Sequence, residues 1–120
     1  IRLRRNWWNH TRGLRGQNTN VFHVNNSAKV VAYHRWDQGG PGDDVIVVAN
    51  FSNTSFDSYT IGLPQAGTWR GRFNSDWSGY DSAFGNHPAW DFTAQTGVYD
   101  GMPYNGTLSL GPYTAVILSQ

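Results

Sequence analysis

No cysteine and no glutamate occur in this chain, and lysine appears once, at Lys29. Without cysteine there is no disulfide, no zinc–thiolate site and no thiol nucleophile. The same absence says little about compartment. All eight acidic residues are aspartates. With Glu gone and Lys nearly so, strong helix formers are scarce. No apolar run approaches the ~20 residues of a membrane-spanning helix, and no membrane partner is expected. The net charge is +1, so the total points to no acidic partner.

Several chemical motifs are missing as well. There is no G-x-S-x-G elbow for a serine nucleophile, and no glycine-rich phosphate loop of either common kind. His10, His23, His34 and His87 show no metal-ligand spacing. Asp43 and Asp44 sit in a glycine-rich loop. Without a D-x-D-x-D run they fall short of the roughly six oxygens that calcium takes. No metal or cofactor is expected.

What is present is glycine, small polar residues and rings. Fourteen glycines and 15% aromatics fit strands joined by tight turns. At 120 residues the chain is one domain. That length buries roughly two thirds of the unfolded surface. Arg2, Arg4, Arg5, Arg12 and Arg15 crowd the first fifteen residues with no acid among them. Such a cluster can serve nucleic acid, but an isolated one ordinarily solvates or pairs; no nucleic-acid partner is expected. Trp7 and Trp8 are adjacent and cannot both face one core in a regular element. One of them is expected to pack on a neighbouring domain or a ligand.

Period-two patterning places the strands. The run 45–49, all apolar, reads as a strand covered on both faces or central in its sheet. The run 58–63 puts Tyr59, Ile61 and Leu63 on one face. The run 68–74 sets Trp69, Gly71 and Phe73 against Thr68, Arg70 and Arg72. Turns at 52–55 and 64–67 separate these three strands, which read as a consecutive antiparallel meander with Trp69 and Phe73 in the core. Upstream, 20–24 is a short strand. The longer strand 28–36 carries Val30, Ala32, His34 and Trp36 on one face and Val31, Tyr33 and Arg35 on the other. Residues 38–42 form a loop. Downstream come a long aperiodic loop at 81–90, an irregular strand at 92–99 and a turn at 100–103. Strands at 106–110 and 113–119 end the chain. The expected fold is all-β: a small antiparallel β-sandwich of Greek-key type with about seven to eight strands.

The string VIVVANFSNTSFDSYTIGLPQAGTWRGRFNSDWSGY, residues 45–80, resembles the C-terminal β-domain of alpha-amylase superfamily glycosidases and glucan-branching enzymes. Segments 47–53, 62–69 and 73–76 carry the likeness, and 4–6, 20–22 and 31–36 extend it upstream. The resemblance implies a small antiparallel sandwich beside a catalytic barrel. It implies that residues 1–10 are the cut end of the last barrel helix plus a linker, with 11–120 as the C-terminal domain. The parent's compartment is left open; an enzyme acting on external starch would be secreted.

Enzymes of that superfamily use an Asp nucleophile and a Glu acid/base, both on the barrel. This chain has no Glu, and Asp43, Asp44, Asp76 and Asp81 stand where Asp caps turn N–H groups. By itself it is expected to be non-catalytic. Sugar binding is the remaining chemistry. A pyranose lays its C–H face on an aromatic ring and its hydroxyls on amides or carboxylates. Trp77 and Tyr80, with Asn74 and Asp76, offer both kinds of group in one Ser/Gly loop, and Trp90 follows. Trp36 ends its strand beside the glycine-rich loop and could neighbour them. The expected partners are an α-glucan polysaccharide and the parent's catalytic barrel. The alternative is a purely structural domain that packs on the barrel and stabilises it.

Overall fold

A computed structural model describes residues 5–25, 27–40, 42–75 and 91–120. Within them the chain forms eight strands: β1 (Asn18–Asn25), β2 (Val30–Trp36), β3 (Val45–Asn50), β4 (Phe56–Leu63), β5 (Gly67–Asn74), β6 (Phe92–Tyr99), β7 (Met102–Leu110) and β8 (Ala115–Ser119). One short 3-10 turn, Arg12–Arg15, precedes them. All pairings are antiparallel, in the order β1-β2-β3-β8-β5-β6-β7-β4. The sheet curls so that its two halves face each other, giving the all-β architecture the sequence pattern implies.

The central core lies between the halves. Val30 and Ala32 of β2, Ile46 and Val48 of β3, and Val116 and Leu118 of β8 meet Ile61 and Leu63 of β4 and Leu108 and Leu110 of β7. Trp69 of β5 is fully buried among them. The Trp69 indole N–H donates to the Gln65 carbonyl at 3.1 Å, so the buried ring leaves no polar atom unpaired.

The consecutive meander over residues 43–74 is not what forms. β3 pairs with β2 and β8, β5 with β8 and β6, and β4 with β7 alone. The last strand therefore inserts between the third and the fifth. β3 and β8 carry the chain's densest apolar blocks, and side by side in mid-sheet both blocks are covered. The expected burial of β3 on both faces holds. Its second face, Val45 and Val47, lies under Leu14 of the 3-10 turn beside Tyr33 and Ile117.

Among the described residues four register shifts interrupt the ladders, and two of them bear on the outer face. In β1 the register shifts between Val21 and His23, and in β5 between Gly71 and Phe73. A one-residue bulge moves every later side chain to the other face. Phe73 thus pairs with Ile117, on the face away from the central core, and not beside Trp69 as simple alternation implies. The turn expected at 100–103 is shorter. Asp100 and Gly101 alone make it, both at positive φ (55° and 74°), while Met102 pairs with Tyr99 inside the ladder. Two left-handed residues match the twist of a tight hairpin.

Candidate functional site

Residues opposite each other in a ladder share a face. On the outer face of the β1-β2-β3-β8-β5 half, this places Val21, Tyr33, Val47, Ile117 and Phe73 in one row across five strands. The next row is Val24, Val31, Ala49 and Ala115. Every member of both rows is apolar. Val21 and Val24 are 54% and 61% exposed, and Phe51, two residues past Ala49, is 66% exposed. Tyr33, Val31, Ala49, Ala115, Ile117 and Phe73 are half-buried. Val47, in mid-row, is buried under Leu14, and the flanking row Thr19, Arg35, Val45, Ser119 and Arg70 is mostly polar. Either side of Val47 the two rows stay apolar, where a sheet face left to water normally alternates to polar residues.

The rim of that face is built by the segment before β1. Gly13 lies so close to β2 and the following loop that a Cβ there would stand 2.3 Å from the Asp43 carbonyl oxygen and 2.5 Å from that of Arg35. Asp43 fastens the segment to the loop. Its carboxylate accepts N–H bonds from Asp37, Gln38 and Gly39 at 2.7–3.0 Å and from Arg12 Nη2 at 2.7 Å. Burial alone would push the Asp43 carboxyl up. The backbone N–H groups of Asp37 and Gln38, the Arg12 guanidinium and the Gly39 N–H outweigh it and hold the pKa down at about 2. The neighbouring Asp44 is buried with one oxygen 2.7 Å from His34 Nε2 and the other accepting the Gly40 N–H. Both aspartates therefore serve as caps, as their turn context implies.

Further along the rim, Trp8 stacks on His10 (centroids 6.1 Å apart, planes at 11°). Trp8, His10, Gly71 and Arg72 line a shallow groove of ≈ 290 Å³. Trp7 is 66% and Trp8 51% exposed. Burial, then the nearby Arg72, lowers the His10 pKa, and burial, then Arg70, lowers that of Arg72.

The residues singled out for sugar binding fare unevenly. Asp76, Trp77, Tyr80 and Trp90 lie outside the described residues. Trp36 is half-buried, with one ring face stacked on His34 at 4.4 Å. Asn74 is half-buried at the end of β5, opposite Val116. The ladder Ala32–Val48–Val116–Asn74 puts Trp36 three strands away and four residues further along. That is roughly 20 Å, so the structure does not bring Trp36 and Asn74 together. Single-strand reading missed the outer apolar face. The sign was the second apolar set in β2 and β3, together with Val21 and Val24.

Among the described residues no group of three or more His or Asp side chains could hold a metal ion, and no helix is long and apolar enough to cross a membrane.

A family model described as the alpha amylase C-terminal all-beta domain matches residues 21–120. The 1,4-alpha-glucan branching enzyme of Corynebacterium jeikeium (strain K411) is 37% identical over 92 residues, 77% of this chain and 12% of that protein. That of Dechloromonas aromatica (strain RCB) is 37% identical over 90 residues, 74% of this chain and 14% of that protein. The enzyme of the same name from Mycobacterium sp. (strain KMS) is 38% identical over 79 residues, 62% of this chain and 10% of that protein. The chain thus spans 10–14% of the length of these relatives.

Proposed function

The chain belongs to the family of alpha amylase C-terminal all-beta domains, and from that premise we propose that it is a non-catalytic accessory domain of an α-glucan-active enzyme of the branching type. It works by packing its outer face on the catalytic domain. The observation that carries this reading is the in-register apolar row Val21–Tyr33–Val47–Ile117–Phe73. An interface core is depleted of charge and ringed by polar and aromatic groups, and this face has both features. The non-catalytic part rests on the missing Glu and on how the described carboxylates are used. Asp43, Asp44 and Asp100 accept backbone N–H groups, and Asp37 and Asp91 lie beside arginines.

Val21 and Val24 give the test, because their exposure makes them cheap to change in the isolated chain. Val21→Asp with Val24→Asp should leave the thermal transition of the 120-residue chain nearly where it was, within the ~0.5 kcal/mol typical of surface changes. In the whole enzyme the same pair places two carboxylates in a closed apolar contact and should lower the melting temperature clearly. Equal, small shifts in both proteins would count against docking through this face.

A second reading is that the segment after β5 holds α-glucan through Trp77 and Tyr80, with Asn74, Asp76 and Trp90 as further candidates. The relatives' substrate, as their names give it, supports it. So does Asn74, which stands half-buried where β5 leads into that segment.

A further inference from the structure

Arg72 occupies an unusual position for a cation. It is the bulge residue of β5, one step from Phe73 in the apolar row. Its Nε donates to the Ser119 hydroxyl at 2.9 Å. Among the described residues no carboxylate lies within 4.0 Å of it; the ion pairs there belong to Arg12, His23, His34 and Arg70. Burial and then the adjacent Arg70 disfavour its charge, and Asp91 offsets them only in part. Beside it, His10 Nδ1 is buried with no hydrogen-bond partner. The groove over Arg72 thus presents a guanidinium with the Ser119 hydroxyl as its acceptor and, beside it, an imidazole nitrogen with no partner among the described residues. The Trp8–His10 stack walls it, and Gly71 lines it beside Arg72.

We infer that this groove receives an acidic side chain from the catalytic domain, with the carboxylate held by the Arg72 guanidinium and the side-chain stem lying along the Trp8 ring. The inference rests on the docking reading above and names the partner chemistry at its rim. A volume of ≈ 290 Å³ is small for a ligand cleft, which usually runs ~300–1,000 Å³, and ample for one side chain. A guanidinium pairs with a carboxylate through two parallel N–H bonds. Arg and Trp are also the residue types on which interface energy concentrates. The groove is continuous with the apolar face, so a partner covering one covers the other. A carboxylate there would give the part-buried guanidinium a direct partner, where among the described residues it has only the more distant charge of Asp91.

The chain's composition makes the contact directly testable. Lys29 is its single lysine, so Arg72→Lys adds one amine at a known place. A carbodiimide joins an amine to a carboxylate only when the two touch. In the whole enzyme carrying Arg72→Lys, mass spectrometry should find position 72 linked to an Asp or Glu of the catalytic domain. Trp8→Ala should reduce that link several-fold. Val21→Asp with Val24→Asp reports separately on docking. If that pair lowers the whole enzyme's melting temperature, yet position 72 links to nothing or only to the neighbouring Asp91, the groove proposal is overturned and docking stands. If the pair has no effect and no link forms, both fall. A third arm titrates the isolated chain with maltoheptaose while following tryptophan fluorescence. Saturable quenching that Trp8→Ala abolishes, without a link at position 72, makes the groove a sugar site and overturns the proposal.

Discussion

His23 Nε2 lies 2.6 Å from the Tyr59 hydroxyl, which joins the first strand of the sheet order to the last. β1 and β4 share no backbone ladder. The curled sheet closes here through side chains. Asn25 Nδ2 donates to the same hydroxyl at 3.2 Å, and His23 Nδ1 lies 2.8 Å from Asp100 Oδ2, which also accepts the Gly62 N–H. With Asp100 ionised, Nδ1 carries the proton and Nε2 accepts from Tyr59, so every member has a partner. The left-handed Asp100 of the β6–β7 hairpin is therefore part of the closure.

The first prediction follows from that chain. Tyr59→Phe keeps the ring and its edge contact with Phe56. It leaves His23 Nε2 and the Asn25 amide short of a partner. Removing one member of a part-buried pair costs about 1–3 kcal/mol. Urea unfolding should show a midpoint lowered to match, with the slope unchanged. An unaltered midpoint would mean that the strand ends need no side-chain closure.

Acid should act through Asp43. Its carboxyl has a pKa of about 2 in the folded chain against an ordinary 3.8. A depressed carboxyl contributes stability that is fully present above the unfolded value. That contribution fades as pH falls from about 3.8 toward about 2. Asp43 is itself covered, but its Arg12 partner is half exposed, so a screened contribution of about 1–2 kcal/mol is expected. Asp43→Asn should lower the melting temperature at pH 7 and flatten its dependence on pH between 4 and 2. A variant whose acid profile parallels the parent's would assign the acid sensitivity elsewhere.

Phe73 and Trp69 look equivalent by alternation, and the β5 bulge separates them. Trp69→Ala empties a fully buried site in the central core and should cost roughly 3–5 kcal/mol. Phe73→Ala removes a half-buried ring on the outer face and should cost well under half of that in the isolated chain. Thermal melts of the two variants side by side decide it. Equal losses would return Phe73 to the core and remove the bulge from the account.

These residues also mark what local pattern can and cannot carry. Strands were legible wherever alternation or an apolar block ran for five residues or more, and all eight elements stand near their expected places. Strand neighbours were not legible. β8 pairs with β3 because both blocks need cover on two faces, and the partner is some 70 residues away in sequence. A bulge is equally silent, since Gly71-Arg72-Phe73 continues the alternation in letters while the ladder skips Arg72. The closure at His23, Tyr59 and Asp100 joins three separate stretches, and none of them announces the others. For the candidate site, the caps Asp43 and Asp44 could be read from turn chemistry. The outer apolar face could not, because it appears only once the strand order is known.

The last prediction concerns the segment that follows β5. Trp77 and Tyr80 stand three residues apart in a stretch rich in Ser, Gly and Asp, beyond the half-buried Asn74. If they hold neighbouring glucose units, each ring–sugar contact is worth on the order of 1–2 kcal/mol, taking partial burial of an aromatic face at ~25 cal/mol per Å². Trp77→Ala should then weaken α-glucan binding about tenfold, since 1.4 kcal/mol is a factor of ten. The melting temperature should hardly move. A ring that instead fills the end of the sandwich predicts the reverse: a loss of roughly 3–5 kcal/mol in stability and no glucan affinity to lose. Affinity electrophoresis in amylopectin and a thermal melt on the same variant separate the two. Unchanged retention with a large drop in melting temperature would remove the sugar-binding role from this segment. Docking through the outer face would then stand as the domain's contribution to the enzyme.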